Sequence, residues 1–68
     1  MKLTVEIERE EDGRWIAEVP EIPGALAYGA TPDQAKAKVQ AIVLRALADR
    51  LEHGEVGANL TSISFAAV

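Results

Sequence analysis

Few side chains in this 68-residue sequence are of the types that carry out catalysis. His53 is the single histidine, and it lies near the end of a predicted helix, where capping or a dipole contact explains it. Glu6 and Glu8 alternate on one predicted strand, so their carboxylates point to the same side and can share a metal ion. Such a pair is also typical of a solvated sheet surface. Ser62 and Ser64 have no histidine nearby in the sequence to act as a base.

The known sequence motifs of catalysis are also missing. The chain contains neither a glycine-rich phosphate loop nor an HExxH motif, and it has no cysteine. We therefore expect no catalytic residues, no bound metal and no cofactor. The alternative with catalytic activity is a residual metal-dependent nuclease that uses Glu6 and Glu8.

The composition predicts one small folded domain. Hydrophobic residues make up 49% of the chain, and a core of this size gains from association with another chain. No apolar run approaches the roughly 18 residues of a membrane span, and residues 1–3 lead into a strand rather than a signal peptide. We expect a cytoplasmic protein that makes no contact with a membrane.

The formal net charge of −4 is unevenly distributed. Residues 1–21 hold seven acidic side chains against three basic ones. No basic patch is present, so we expect no direct binding to nucleic acid, because phosphate neutralisation supplies most of that affinity. An acidic sheet suits a basic protein partner. The same charges can also serve only to keep the outer face of the sheet soluble.

The clearest structural signal is a helix between Thr31 and Gly54. Thr31 is placed to cap its first turn, Pro32 is at the first helical position, and Gln34 completes a capping box. Gly54 supplies a left-handed stop. The helix should contain about 21 residues and extend over roughly 31 Å.

The apolar positions of this helix cover more of its circumference than the stripe of about 100° that a surface helix needs. The residues expected to pack on the sheet are Ala35, Val39, Ile42, Val43, Ala46 and Leu47. Leu44 and Leu51 continue that arc, and three further alanines extend it. The alanines can reflect helix propensity alone. Alternatively, the arc packs on another chain, and we expect a homo-oligomer, most simply a dimer, with Leu44 and Leu51 near its interface or that of another partner.

Four strands complete the predicted fold. Their order around the helix is β-β-β-α-β, an α+β fold in which a small sheet is covered on one face by a single helix. An Asp-Gly pair at residues 12–13 predicts a hairpin turn between the first two strands. The crossover through the helix lets the last strand return parallel to the first. The strands are predicted at residues 3–8, 14–19, 25–28 and 61–68.

Residues 20–24 read Pro-Glu-Ile-Pro-Gly and cannot form a central strand, because each proline removes a ladder donor. We expect a rigid, shaped loop ending in a glycine turn with positive φ at Gly24. This loop and the acidic hairpin before it are the predicted contact surface for a protein partner. The predicted partner-binding residues are Glu18, Pro20, Glu21, Ile22, Pro23 and Gly24.

The run DGRWIAEVPEIPG at residues 12–24, followed by Gly29, Thr31 and Gln34-Ala35, resembles the HicB-like antitoxin family. The hallmark of that family is an aromatic residue, then A-E-x-P-E-x-P-G, a short strand, G-x-T and a helix. The resemblance covers residues 1 to about 52. It implies a partly degraded ribonuclease H-like fold and a role as the antitoxin of a HicA-type toxin, a small basic mRNA interferase whose active site it covers.

The sequence departs from the family pattern in two respects. Many members continue into an operator-binding domain, whereas residues 1–68 are expected to form a single HicB-like antitoxin domain with no C-terminal DNA-binding domain. No recognisable set of ribonuclease H carboxylates is present, so nuclease activity is not implied. A structural homo-oligomer of the same fold, without a toxin partner, remains the alternative function.

Overall fold

The computed structural model has the predicted order of elements, and it describes residues 1–55 and 62–67. Residues 56–59 of the predicted connection after the helix, and residues 61 and 68 of the predicted last strand, lie outside the described residues. The observed elements are β1 (Lys2–Arg9), β2 (Trp15–Glu18), β3 (Leu26–Gly29), α1 (Pro32–Glu52) and β4 (Ser64–Ala67).

The four strands form one mixed sheet in the order β3-β2-β1-β4. β1 and β2 are antiparallel, as are β2 and β3, whereas β4 runs parallel to β1 as predicted. Two hydrogen bonds join the N-terminal residue to the segment at the start of β4. The Met1 ammonium donates to the Ser62 carbonyl at 2.7 Å, and the Ser64 N–H donates to the Met1 carbonyl at 2.9 Å. Because the strand order is β3-β2-β1-β4, β3 and β4 are the edge strands.

The start of α1 follows the predicted capping chemistry. Thr31 has extended backbone angles, and its hydroxyl oxygen accepts a hydrogen bond from the Gln34 N–H at 3.1 Å. Gln34 also reaches back, but its side-chain oxygen accepts from the N–H of Ala30 at 3.0 Å rather than from that of Thr31. The capping box therefore differs from the standard pattern in one hydrogen bond: the Gln34 side chain bonds to the residue before the N-cap instead of to the N-cap itself.

The end of α1 is a Schellman motif. Gly54 has φ of +70°, the left-handed value that its position predicts. Its N–H donates to the Leu51 carbonyl at 3.2 Å, and the Glu55 N–H donates to the Arg50 carbonyl at 2.8 Å. These two bonds satisfy carbonyl groups that a helix end otherwise leaves unpaired.

The core lies between α1 and the three antiparallel strands. α1 packs mainly on β3 and β2, less on β1, and does not reach β4. Consequently Phe65 of β4 and Ile63, which directly precedes β4, pack against the edge of the core and stay half-buried. The buried residues are Leu3, Val5, Ala17, Val19, Ile22, Ala25, Ala27, Ala35, Val39, Val43 and Leu47.

The inward side of β3 consists of small residues, so hydrophobic periodicity does not indicate which side of this strand faces the core. Ala27 and Gly29 face α1, while Leu26 and Tyr28 face away from it. A Cβ on Gly29 would lie 2.5 Å from the backbone nitrogen of Ala35, so the first turn of the helix rests directly on this glycine. Close approach of the helix therefore decides which side of β3 points inward.

Candidate partner-binding surface

The side of the sheet opposite α1 carries a mixed acidic and apolar surface, which we name the outer patch. The strand register assembles it, because residues directly opposite each other on paired strands project to the same face. Glu6 lies opposite Glu18, and Ile16 lies between Glu8 and Tyr28. No described helix or strand covers it. The outer patch consists of Glu6, Glu8, Ile16, Glu18, Leu26 and Tyr28.

Three carboxylates give the outer patch a local excess of negative charge. Glu6 and Glu18 face each other across the β1–β2 ladder, an arrangement of like charges that destabilises a sheet. Together with Glu8 they line a surface depression that is also lined by Ile16 and Ile7. Within residues 1–55 and 62–67, none of these three carboxylates forms an ion pair. A positively charged partner would relieve their repulsion.

The apolar half of the outer patch lies on β2 and β3. Leu26 and Tyr28 are 39% and 37% exposed, and Ile16 is half-buried between the strands. The Arg14 guanidinium stacks on the Tyr28 ring, 4.4 Å from its centroid, as a cation–π pair. This arrangement offers a partner an apolar area beside the negative charge, as the centre of a protein interface requires.

Arg14 is held in place by the hairpin turn. The Asp12 carboxylate accepts from the Arg14 backbone N–H at 3.1 Å and from its Nε at 2.7 Å. The backbone hydrogen bond, with smaller contributions from the side chain, lowers the pKa of Asp12 below its usual value. The predicted Asp-Gly turn therefore also positions the cation at the border of the outer patch.

Of the predicted partner-binding residues, Glu18 is in the outer patch and the others form the loop at residues 20–24. Pro20, Pro23 and Gly24 are exposed, and Gly24 has the predicted positive φ, at +85°. Ile22 is 5% exposed and packs in the core, where it anchors the loop. The loop therefore offers its prolines and glycine to solvent while Ile22 supports it from below.

Glu21 is directed back toward the sheet. Its two carboxylate oxygens both lie 3.1 Å from the backbone nitrogen of Thr4, beyond the last β1–β2 pair at Glu6 and Glu18. Hydrogen bonding from this N–H lowers the pKa of Glu21, because it favours the ionised form. The Glu21 carboxylate thus supplies the hydrogen-bond acceptor that a paired strand would otherwise supply, and it fastens the loop to β1.

The remaining predicted candidates lie outside the outer patch. Leu44 and Leu51 are 48% and 42% exposed on α1, on the other side of the sheet. The Nδ1 of His53 lies 2.7 Å from the Asp49 carbonyl oxygen at the helix end. Ser64 is on the edge strand β4.

Five of the six members of the outer patch were not among the predicted partner-binding residues, and of these only Glu6 and Glu8 were considered for another role, as a shared metal site. Ile16 alternates with Glu18 along β2, which indicates that both lie on the outer side, but periodicity does not orient its neighbours Leu26 and Tyr28 on a four-residue strand. In the described part of the chain, no group of three or more His, Asp or Glu side chains is arranged to hold a metal ion. Within the same residues, no helix is long and apolar enough to cross a membrane.

Comparison with known proteins identifies a relative of similar length. The chain is 45% identical over 51 residues to the UPF0150 protein ssl0738 of Synechocystis sp. (strain PCC 6803). The aligned segment covers 75% of this chain and 71% of that relative. No protein-family model matches the chain, and no solved structure matches it.

Proposed function

This chain belongs to the UPF0150 family, and because its sequence motif also resembles that of HicB-like antitoxins, we propose that it is an antitoxin. It binds a HicA-type mRNA interferase in the cytoplasm and neutralises it by covering the active site. The proposal assigns no catalytic role, cofactor or nucleic-acid contact to this chain. The observation that carries it is the outer patch, where Glu6 and Glu18 face each other beside exposed apolar side chains.

The charge of the outer patch matches the chemistry of such a partner. An enzyme that binds and cleaves mRNA needs positive charge at its active site, because it must neutralise phosphates. Three carboxylates at Glu6, Glu8 and Glu18 compete for the same positive groups. Their electrostatic attraction accelerates encounter, while Leu26 and Tyr28 supply apolar area that slows dissociation.

The loop at residues 20–24 forms a rigid border next to this surface. Ile22 anchors it in the core, and Glu21 ties it to Thr4 at 3.1 Å. A loop already held in one conformation loses little entropy on binding. Pro20 and Pro23 are therefore proposed as shape-determining contacts, and Glu21 as the residue that holds them in position.

Reversal of charge in the outer patch tests this function. The binding partner is a HicA-type toxin whose catalytic histidine is replaced by alanine, and surface plasmon resonance measures association at several salt concentrations. We expect the double variant Glu6→Lys, Glu18→Lys to associate at least about 10-fold more slowly at low salt, with a weaker salt dependence than the wild type. The like-charged cross-strand pair is retained in this variant, so its sheet pairing is comparable with that of the wild type.

The matched control is the double variant Glu11→Lys, Glu55→Lys. It changes the net charge equally, but its positions are at the hairpin turn and beyond the end of α1. Equal association rates for both double variants would show that only net charge matters and would refute a specific role of the outer patch. A wild-type protein that binds none of the HicA-type toxins tested would refute the antitoxin function.

A second function, a structural homo-oligomer without a toxin, is supported by the exposure of Leu44 and Leu51 on α1. The two functions differ in what relieves toxicity in cells. Co-expression of an antitoxin with its toxin restores growth, and the outer-patch variant loses that effect. A homo-oligomer without a toxin partner leaves growth arrest unchanged.

A further inference from the structure

The exposed side of α1 carries a second apolar surface, which we name the helix seam. Its members recur at alternating intervals of four and three residues, the spacing of the contact positions in a coiled coil. At about 100° per residue, the helix seam lies roughly 140° around α1 from the residues that pack in the core. The helix seam consists of Ala37, Ala41, Leu44, Ala48 and Leu51.

The helix seam faces away from the chain's own core. Leu44 is 48% exposed and Leu51 is 42% exposed, the two highest values for leucine in the described residues. Ala37 and Ala48 are also exposed, and Ala41 is half-buried. No described strand packs on this side, because α1 rests on β3 and β2 with its opposite face.

We propose that the helix seam binds the helix seam of a second copy of this chain, with the two helices antiparallel about a two-fold axis. The argument comes from the alternation of large and small side chains. One set of contact positions carries Ala41 and Ala48, and the other carries Ala37, Leu44 and Leu51. The surface is therefore complementary to itself in one orientation and not in the other.

In an antiparallel pair, each position of one set faces a position of the other set. Leu44 then packs on the second copy's Ala48, and the same register brings Leu51 onto the second copy's Ala41. The four layers formed by residues 41, 44, 48 and 51 each contain one leucine and one alanine, so the helices approach evenly there, and Ala37 lies beyond these layers. A parallel pair instead stacks alanine on alanine and leucine on leucine, which leaves voids between wide layers.

The charges beside the helix seam form one favourable contact and one unfavourable contact in this orientation, the latter between Arg45 and the second copy's Arg45 near the two-fold axis. Lys38 and Glu52 border it on the same side, near opposite ends of α1. Antiparallel pairing brings Lys38 of one copy near Glu52 of the other, at both ends of the interface. The two helix dipoles are also antiparallel.

The size of the contact sets the affinity that we expect. The helix seam is about 21 Å long at 1.5 Å per residue. An interface formed mainly by one helix from each copy is at the lower end of stable interface sizes. We expect a weak dimer, and the experiment is designed around a dissociation constant on the order of 10 μM. The outer patch is on the other side of the sheet and stays free in this dimer.

Sedimentation equilibrium of the toxin-free protein tests the dimer, at concentrations on either side of the expected constant. The wild type should be mostly dimeric at about 200 μM. Leu44→Glu should be monomeric at every concentration, because it places two charges in the apolar contact. The matched control is Leu26→Glu, which puts the same charge at an exposed leucine of the outer patch and should leave the dimer intact.

Cysteine cross-linking tests the orientation, since the chain has no cysteine of its own. An equimolar mixture of Leu44→Cys and Ala48→Cys should form a disulfide-linked heterodimer on oxidation. Preferential cross-linking of Leu44→Cys with itself would refute the antiparallel register. Neither experiment contains the toxin, so their failure is distinguishable from failure of the antitoxin function.

Three results would overturn the proposal altogether. The first is a wild type that remains monomeric at about 200 μM. The second is a dimer that Leu26→Glu dissociates and Leu44→Glu does not. The third is a dimer that only Ser64→Lys dissociates, which would move the interface to the open edge of β4.

Discussion

Both carboxylate oxygens of Glu21 lie 3.1 Å from the backbone nitrogen of Thr4, 17 residues earlier in the chain. The bond fastens the proline-containing loop at residues 20–24 to β1, just beyond the point where β2 stops pairing with it. A hydrogen bond to an ionised acceptor is stronger than one between neutral groups. The loop beside the outer patch is therefore held by a contact that depends on pH.

We expect Glu21→Gln to destabilise the fold at neutral pH and to destabilise it less in acid. The Thr4 N–H lowers the pKa of Glu21 in the folded state below its usual value of 4.5. A lowered folded-state pKa contributes stability that is present above the unfolded-state pKa and is lost as the pH falls through the folded-state pKa. The urea midpoint of Glu21→Gln should therefore lie below that of the wild type at pH 7, and the gap should narrow toward pH 3.

The control for this measurement is Glu11→Gln, which removes a carboxylate from the hairpin turn without touching the loop. A gap between wild type and Glu21→Gln that is the same at pH 7 and pH 3 would show that the charged bond to Thr4 does not stabilise the fold.

Gly29→Ala should destabilise the fold by about 1–3 kcal/mol through overpacking. The added methyl group would lie 2.5 Å from the Ala35 backbone nitrogen and 2.8 Å from the Gln34 Cβ, so the first turn of α1 must move. Urea denaturation measures the loss. Gly24→Ala is the comparison, since its φ of +85° causes backbone strain but nothing lies within 4 Å of the new Cβ. A smaller loss at Gly29 than at Gly24 would contradict the close approach.

Thr31→Ala should lower the free energy of unfolding by about 1 kcal/mol, because the Gln34 N–H loses its acceptor at 3.1 Å. Thr31→Ser retains a hydroxyl oxygen at the same place and should lose only a small part of that amount. The two variants are compared with wild type by thermal or urea denaturation. Equal losses in both variants would mean that the side-chain cap is not what stabilises the start of α1.

We expect no binding of RNA or DNA by the isolated protein at about 150 mM salt, since its net charge is −4 and the outer patch is acidic. Fluorescence anisotropy with labelled single-stranded and duplex RNA measures this directly. Micromolar binding by the wild type would contradict the expectation. The Glu6→Lys, Glu18→Lys variant shows in the same assay whether those acids are what repels phosphate.

The elements that could be predicted from sequence are those with local causes. The bounds of α1 follow from Thr31, Pro32 and Gly54, whose effects act within one turn of the chain. The hairpin between β1 and β2 likewise follows from an Asp-Gly pair. The parallel pairing of β4 with β1 is less local, but a crossover helix and the handedness rule leave few alternatives.

The orientation of β3 and the location of Ile22 depended on tertiary contacts. Periodicity could not orient β3, because its inward residues are small and its outward residues Leu26 and Tyr28 are large. Ile22 lies between two prolines, where no strand or helix period applies, so its burial at 5% exposure had no sequence signal. The bond between Glu21 and Thr4 joins residues 17 positions apart, and only the folded chain brings them together.

The sequence by itself determined that α1 has a wider apolar arc than one sheet needs, because side-chain direction on a helix follows directly from residue spacing. It could not determine which part of that arc the sheet would cover. The tertiary structure decided this by placing α1 over β3 and β2, where Gly29 allows close contact, and away from β4. That placement buries Val39 and Val43, and it leaves Leu44 and Leu51 exposed on the opposite side.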